Sequence, residues 1–314
     1  MSNIKNKSTN VIMIVREVIG MYEYQGKNVI IMLCSKCNIN CKHCNIKYDG
    51  NFSSKELKKI FDKIKDKYFI ILNGTEPILF PEYYELYKEN FRNRILTNGL
   101  ELIRNPDLYD ILKESGINEI ALSYHLGIQD DISTVKSSIL DGLIGNLVEN
   151  SFQVKLMTTI SSDNYKMIST MCSKAYELGV KTIKFTNYIY QGNAQKNDFT
   201  KVLNQGQIDE VSFEIDYCRS LYDKENLKIE RCGTFGPKQG NSEKFECLAC
   251  NNMTVITPDL NVYQCVFDID RGNEIGRVID GKIMIDDEYK SLDKSYCKVL
   301  KKYNGIGDKR WVNQ

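Results

Sequence analysis

The chain has 314 residues, 42 Lys and Arg against 41 Asp and Glu, and a formal net charge of +1, so no overall field draws it to nucleic acid or to an anionic membrane. With 42% hydrophobic and 26% charged residues it has an ordinary globular composition, sized for one large domain and a small appendix. The longest apolar stretch, 29–34, falls far short of the roughly 18 residues of a membrane span, and the polar first ten residues carry no secretion signal, which predicts a cytoplasmic protein.

Residues 1–27 read as an N-terminal extension. From 28 to 222 short apolar runs alternate with amphipathic stretches, the pattern of βα units. Six strands are expected, at 28–33, 68–72, 94–97, 117–123, 152–160 and 181–187. After the first, Ser53-Ser54-Lys55-Glu56 forms a capping box, and Leu57, Ile60, Phe61 and Ile64 follow at helical spacing. Near the fifth, Asn164 is placed to cap a helix whose stripe Ile168, Met171, Cys172 and Ala175 ends at Gly179, which makes Cys172 a core residue. The fold class is therefore α/β, a partial six-stranded βα barrel of the TIM type over 28–224. A small cysteine-rich module is expected over 225–314, where the alternation stops.

In barrels of parallel strands chemistry gathers in the loops that leave the strands' C-terminal ends. The unusual residues fall there. The first strand leads into a cysteine cluster, the second into Asn73-Gly74-Thr75-Glu76-Pro77, and the third into Thr97-Asn98-Gly99. The fourth ends at Ser123-Tyr124-His125, the fifth at Thr158-Thr159, and the sixth runs on to 190–193.

Eleven cysteines and two histidines, His43 and His125, mean that a protein-held metal here is ligated mostly by thiolate. Cys37, Cys41 and Cys44 stand at C-x3-C-x2-C on one loop. Three thiolates fill three corners of a cubane 4Fe–4S cluster and leave one iron open to an outside ligand. A zinc site completed by Cys34 or His43 is the alternative, although structural zinc favours two paired short spacings.

This spacing, just after a first strand, resembles the radical S-adenosylmethionine (radical SAM) superfamily, and the resemblance extends over about 28–195. It implies a SAM-binding 4Fe–4S cluster on Cys37, Cys41 and Cys44. It further implies that the segment at Gly74, Thr75 and Glu76, with Thr75 where a second Gly is usual, meets the SAM amino group. Ser123 would lie near the carboxylate or ribose, Thr159 near the ribose, the backbone around Phe185 near adenine, and His43 against the adenine ring. Plain strand-end capping for Ser123 and Thr159, a turn for 97–99 and a surface role for His43 are the alternatives. The implied chemistry is reductive cleavage of SAM to a 5′-deoxyadenosyl radical that takes a substrate hydrogen, with a reducing electron-transfer protein such as flavodoxin or ferredoxin as partner.

Cys250 and the stretch from Thr257-Pro258-Asp259-Leu260 to Cys265 resemble the hairpin of SPASM and Twitch auxiliary-cluster domains, with Leu260 where a Gly is usual. The resemblance implies an auxiliary 4Fe–4S cluster on Cys232, Cys247, Cys250 and Cys265, with Cys297 as the alternative ligand and zinc as the alternative metal. It should open at the same mouth as the first cluster. A thiol left over, Cys297 or else Cys218 or Cys232, could return a hydrogen atom to a substrate radical. The expected enzyme is an oxidoreductase or epimerase acting on a carbohydrate or aminocyclitol or on a short ribosomal peptide. Only 27 residues precede the first strand, too few for a leader-binding domain. A non-catalytic zinc or iron–sulfur binding protein on a barrel scaffold is the rival from another class.

Overall fold

The apolar runs become strands in the computed structural model, whose described residues are 20–46, 48–90, 93–198, 200–222, 226–232, 235, 252–269 and 272–291. A short β1 (Met21–Glu23) leads in. The six expected strands follow as β2 (Asn28–Met32), β3 (Phe69–Asn73), β4 (Arg94–Thr97), β5 (Glu119–Ser123), β6 (Gln153–Ile160) and β7 (Thr182–Asn187). Beyond them lie β8 (Lys228–Arg231), β9 (Met253–Ile256), β10 (Asn261–Tyr263), β11 (Gly276–Ile279) and β12 (Lys282–Asp286).

Two sheets result. One is parallel throughout in the order β4-β5-β6-β7-β8; the other runs β1-β12-β11-β10-β9-β2-β3, with β9, β2 and β3 parallel and the remaining pairs antiparallel. β3 and β4 lie side by side without a ladder between them. The connections between parallel strands carry helices, chiefly α1 (Ser54–Ile64), α2 (Tyr84–Glu89), α3 (Leu100–Arg104), α4 (Leu108–Glu114), α5 (Gln129–Ile132), α6 (Ser137–Glu149), α7 (Ile168–Glu177), α8 (Asn193–Lys196) and α9 (Gln205–Tyr222). None among the described residues is long and apolar enough to cross a membrane.

Ser53 and Glu56 make the expected box, each side chain accepting from the other's backbone N–H (3.3 and 3.4 Å), and Leu57, Ile60, Phe61 and Ile64 are buried. Ser53→Ala is expected to cost about 1 kcal/mol in urea unfolding, because one donor of the first turn loses its partner. Asn164 does not cap its helix. α7 starts after a single 3-10 turn (Tyr165–Met167) without a side-chain cap. The buried Asn164 amide accepts from Ser161 N (2.8 Å) and donates to Thr159 O (3.1 Å) and Leu126 O (3.2 Å), tying the end of β6 to the loop after β5. Cys172 is core, with no exposed surface.

The strands present two unlike faces. Along β7, Ile183, Phe185 and Asn187 are buried while Thr182, Lys184 and Thr186 are half-exposed. Ile183 shares an apolar pocket with Met171 and Ala175 of α7, so the buried face is the helix side and the half-exposed face is the open one.

The C-terminal part continues the fold, since β9 pairs directly with β2. The turn between β9 and β10 holds Leu260 at φ +65° where glycine is usual. Leu260 N donates to Thr257 O (2.9 Å) and its side chain packs on the core, which gives this left-handed conformation a compensating apolar contact. β10 then runs back antiparallel to β9. Cys265 consequently follows on the side where the parallel strands begin, while Cys247, Cys250 and Cys297, on which the expected shared mouth also depends, lie outside the described residues.

Candidate metal centre at the strand ends

The cysteine loop leaves β2 and is pinned from three sides. Lys42 N donates to Ile132 O (3.0 Å); Asn193 N donates to Cys44 O (2.8 Å); and Asn193 Nδ2 donates to Cys41 O (3.1 Å) and Asn40 Oδ1 (2.8 Å). Asn98 Nδ2 donates to Cys37 Sγ (3.6 Å). Burial is the largest cause of the shifts of the three thiols, pushing Cys41 up to about 12 and also raising Cys37 and Cys44, and Cys44 further raises both Cys37 and Cys41. No cation contributes to these shifts, so an ion that binds here displaces protons and supplies the missing positive charge. No three His, Cys, Asp or Glu side chains among the described residues form a cage for a single ion. A cubane instead spreads its thiolates over separate irons, and the donor set fits that demand.

Beside the loop, Gly74 is forced by space. A Cβ there would stand 2.9 Å from Cys34 Sγ and 3.3 Å from Cys34 N. Thr75 N donates to Cys34 O (2.9 Å), which brings the segment after β3 against the start of the cysteine loop. Glu76 is buried, accepting from the Thr97 hydroxyl and from Asn98 N (2.8 Å). Residues 97–99 are therefore more than a turn: they hold a carboxylate under the cysteine loop.

Burial raises Glu76 from 4.5 to about 7, against the lowering effect of its hydrogen bonds. The folded chain thus holds this proton more tightly than the unfolded one. Glu76 contributes most below the unfolded value near 4.5, and its contribution is lost as pH rises through the folded value near 7. Glu76→Gln is expected to remove that slope, leaving the metal-free variant less sensitive to pH than the parent between pH 5 and 8 by up to about 3 kcal/mol in urea unfolding. Parallel pH profiles for the two proteins would refute the assignment.

Ser123 and Thr159 both stand on the half-exposed face at strand ends. Thr159 N donates to His125 Nδ1 (3.0 Å), which puts the His125 proton on Nε2. The chain's two histidines meet there edge to face, their ring centroids 4.6 Å apart. Burial lowers both, His43 to about 4 and His125 well below its ordinary value, so both rings are neutral at pH 7. His43 is therefore packed within the site and not a surface residue. For the backbone around Phe185, the structure shows the side chain on the helix side and the carbonyl accepting from Cys232 N (2.9 Å).

Sequence reading gave Asn187 and Gln191 no role. Both are buried, and both atoms of each side-chain amide lack a partner, as does His43 Nδ1. Buried polar groups without partners are rare in finished structures. Gln191 adjoins the cysteine loop, because a Cβ on the next residue, Gly192, would lie 2.6 Å from Cys44 O. The only available signal was their position at and just beyond the end of β7.

No family model and no curated protein matches the sequence. Solved structures do match the fold. SuiB from Streptococcus suis bound to S-adenosylmethionine superposes with a TM-score of 0.62 at 15% identity, over 85% of this chain and 66% of that one. SuiB bound to the precursor peptide SuiA gives 0.61 at 14% identity, over 94% and 67%. Native anSMEcpe with bound AdoMet and the Kp18Cys peptide gives 0.59 at 16% identity, over 80% and 77%. The fold is shared with the S-adenosylmethionine-bound SuiB and anSMEcpe structures. This chain spans about two thirds of the length of SuiB.

Within this fold, Cys37, Cys41, Cys44, His43 and the segment 74–76 come together at the ends of β2 and β3, with Ser123 and Thr159 at the ends of β5 and β6. The remaining cysteines do not assemble into one site among the described residues. Cys232 follows β8 and Cys265 follows β10, both half-buried. Cys218, named as a hydrogen donor, is buried in α9 beside Ser169 (3.6 Å), a position that suits packing. Cys247, Cys250 and Cys297 lie outside the described residues.

Proposed function

We propose that the chain is a radical SAM enzyme built on a partial barrel, with Cys37, Cys41 and Cys44 holding a 4Fe–4S cluster. The observation that carries this is the meeting of three thiols at C-x3-C-x2-C with unpartnered polar atoms of His43 and Gln191 around the ends of parallel strands. When bound, the cluster and SAM supply one-electron cleavage of a C–S bond and a radical able to abstract hydrogen from an unactivated carbon.

The chain's own residues bind and orient. Gly74 lets the segment after β3 lie against Cys34. His43, braced by His125, presents a neutral ring to the bound nucleoside. Ser123 and Thr159 offer hydroxyl groups on the open face, and the packed helix side confines the chemistry to that face. An electron-transfer protein such as flavodoxin or ferredoxin would be the reductant.

A peptide is the better supported substrate class, because the SuiB and anSMEcpe structures of the same fold are bound to peptides. Oxidation or epimerisation would follow hydrogen abstraction. The C-terminal cysteines are read as a second thiolate site for an auxiliary cluster, with zinc as its competitor. Anaerobically reconstituted protein, dithionite and SAM should yield 5′-deoxyadenosine and methionine. Absence of both products from iron-loaded protein would sink the proposal.

A further inference from the structure

We propose that Asn98 is a positioning residue that donates an N–H···S hydrogen bond to Cys37 and thereby biases the bound cluster toward its reduced state. This rests on the reading of Cys37 as a cluster ligand. The bond itself is seen directly, with Asn98 Nδ2 3.6 Å from Cys37 Sγ.

What distinguishes it from a chance surface contact is how completely Asn98 is fixed. The residue is 8% exposed. Its backbone N–H is held by Glu76 Oε2 at 2.8 Å, and its Oδ1 accepts from Leu100 N at 2.9 Å. Because the oxygen is committed to that N–H, the amide has one orientation, with its NH2 group facing the cysteine loop. The two hydrogens have two acceptors, Cys37 Sγ and Asn38 Oδ1 at 2.8 Å. Behind it, Gly99 turns the chain at φ +85°, where a Cβ would meet Leu143 at 2.6 Å and Leu122 at 2.9 Å. The donor is thus anchored through the floor of the site, and Glu76, Asn98 and Cys37 form one continuous chain.

A sulfur ligand gains negative charge when its cluster accepts an electron. A fixed donor aimed at that sulfur stabilises the reduced form more than the oxidised one, and hydrogen bonds to sulfur are among the levers that set cluster potentials. A low-potential cluster is hard to reduce, so a donor on one ligand eases the step without altering ligation.

The test uses the full chain reconstituted with iron and sulfide. Asn98→Leu removes the donor at similar volume. Asn98→Ser keeps an oxygen for Leu100 N but is too short to reach Cys37, and serves if the Leu variant does not fold. Iron per chain is measured first, then the midpoint potential by EPR-monitored titration without SAM. The expected result is an unchanged iron content and a lower potential, so that at a fixed solution potential the reduced-to-oxidised ratio falls up to about tenfold, equivalent to about 59 mV for one electron. Asn38→Ala, which spares the bond to Cys37, should leave the potential at the parent value. Equal iron and an equal potential in the Asn98 variants would overturn the proposal alone. Parent protein that takes up no iron at Cys37, Cys41 and Cys44 would overturn the cluster reading and this inference with it.

Discussion

Replacing Cys37, Cys41 and Cys44 together by Ala is expected to remove about four irons per chain and to reduce 5′-deoxyadenosine formation to background, because three ligands of one cubane are lost at once. The fold should survive. The cysteine loop is fastened through backbone groups, Lys42 N to Ile132 O and Asn193 N to Cys44 O, rather than through the thiols. Iron counting, product analysis and circular dichroism on one preparation separate loss of metal from loss of structure. Product formation that persists in the triple variant would eliminate these cysteines as the cluster ligands. The metal left behind reports on the C-terminal cysteines: iron there supports an auxiliary cluster, and zinc alone assigns a ribbon.

The second large effect is expected at a residue without any chemistry of its own. Gly192 has φ +62° and ψ −126°, a conformation that strains any side chain. A Cβ on it would stand 2.6 Å from Cys44 O and 3.2 Å from Asn45 Cα, both backbone atoms that no rotamer change can move. Gly192→Ala should therefore push the loop after β7 off the cysteine loop and break the bond from Asn193 N to Cys44 O. Strain and overpacking together amount to about 3 kcal/mol. Urea unfolding of the metal-free protein reads the stability, and iron uptake reads the loop. Gly145 in α6 is the control, since nothing lies within 4 Å of its Cβ position. Gly145→Ala should stabilise by about 0.5–1 kcal/mol through helix propensity. If Gly192→Ala also proves neutral or stabilising, the close approach is wrong.

The six parallel strands and α1 were legible in the sequence because their signals are local: apolar runs of strand length, a capping box and a helical stripe. The cysteine spacing was legible for the same reason. What the sequence concealed is contact between distant segments. Nothing in residues 253–256 announces that they add to β2, since a run of Met, Thr, Val and Ile suits any edge, and β1 is too short to show a period. Asn164 reads as a helix cap because capping residues and buried bridging amides share a composition. Asn98 lies in a turn-forming tripeptide, and only the arrival of Glu76 and Cys37 from other strands makes it part of the site. The pairing of β8 with β7, which brings Cys232 N to the Phe185 carbonyl, is likewise a contact between segments far apart in sequence.

The pairing of β2 with β9 joins Asn28 to Met253, and this sets an order of events when the chain is made. Synthesis delivers the cysteine loop early and the strand that flanks β2 late. Closing so long a loop is entropically slow, so the five-stranded sheet, whose neighbours are all close in sequence, should form first. Until β9 arrives, β2 has an open edge. A nascent chain would thus expose Cys37, Cys41 and Cys44 beside an unfinished sheet, at the stage when cluster-delivery machinery has its easiest access to them.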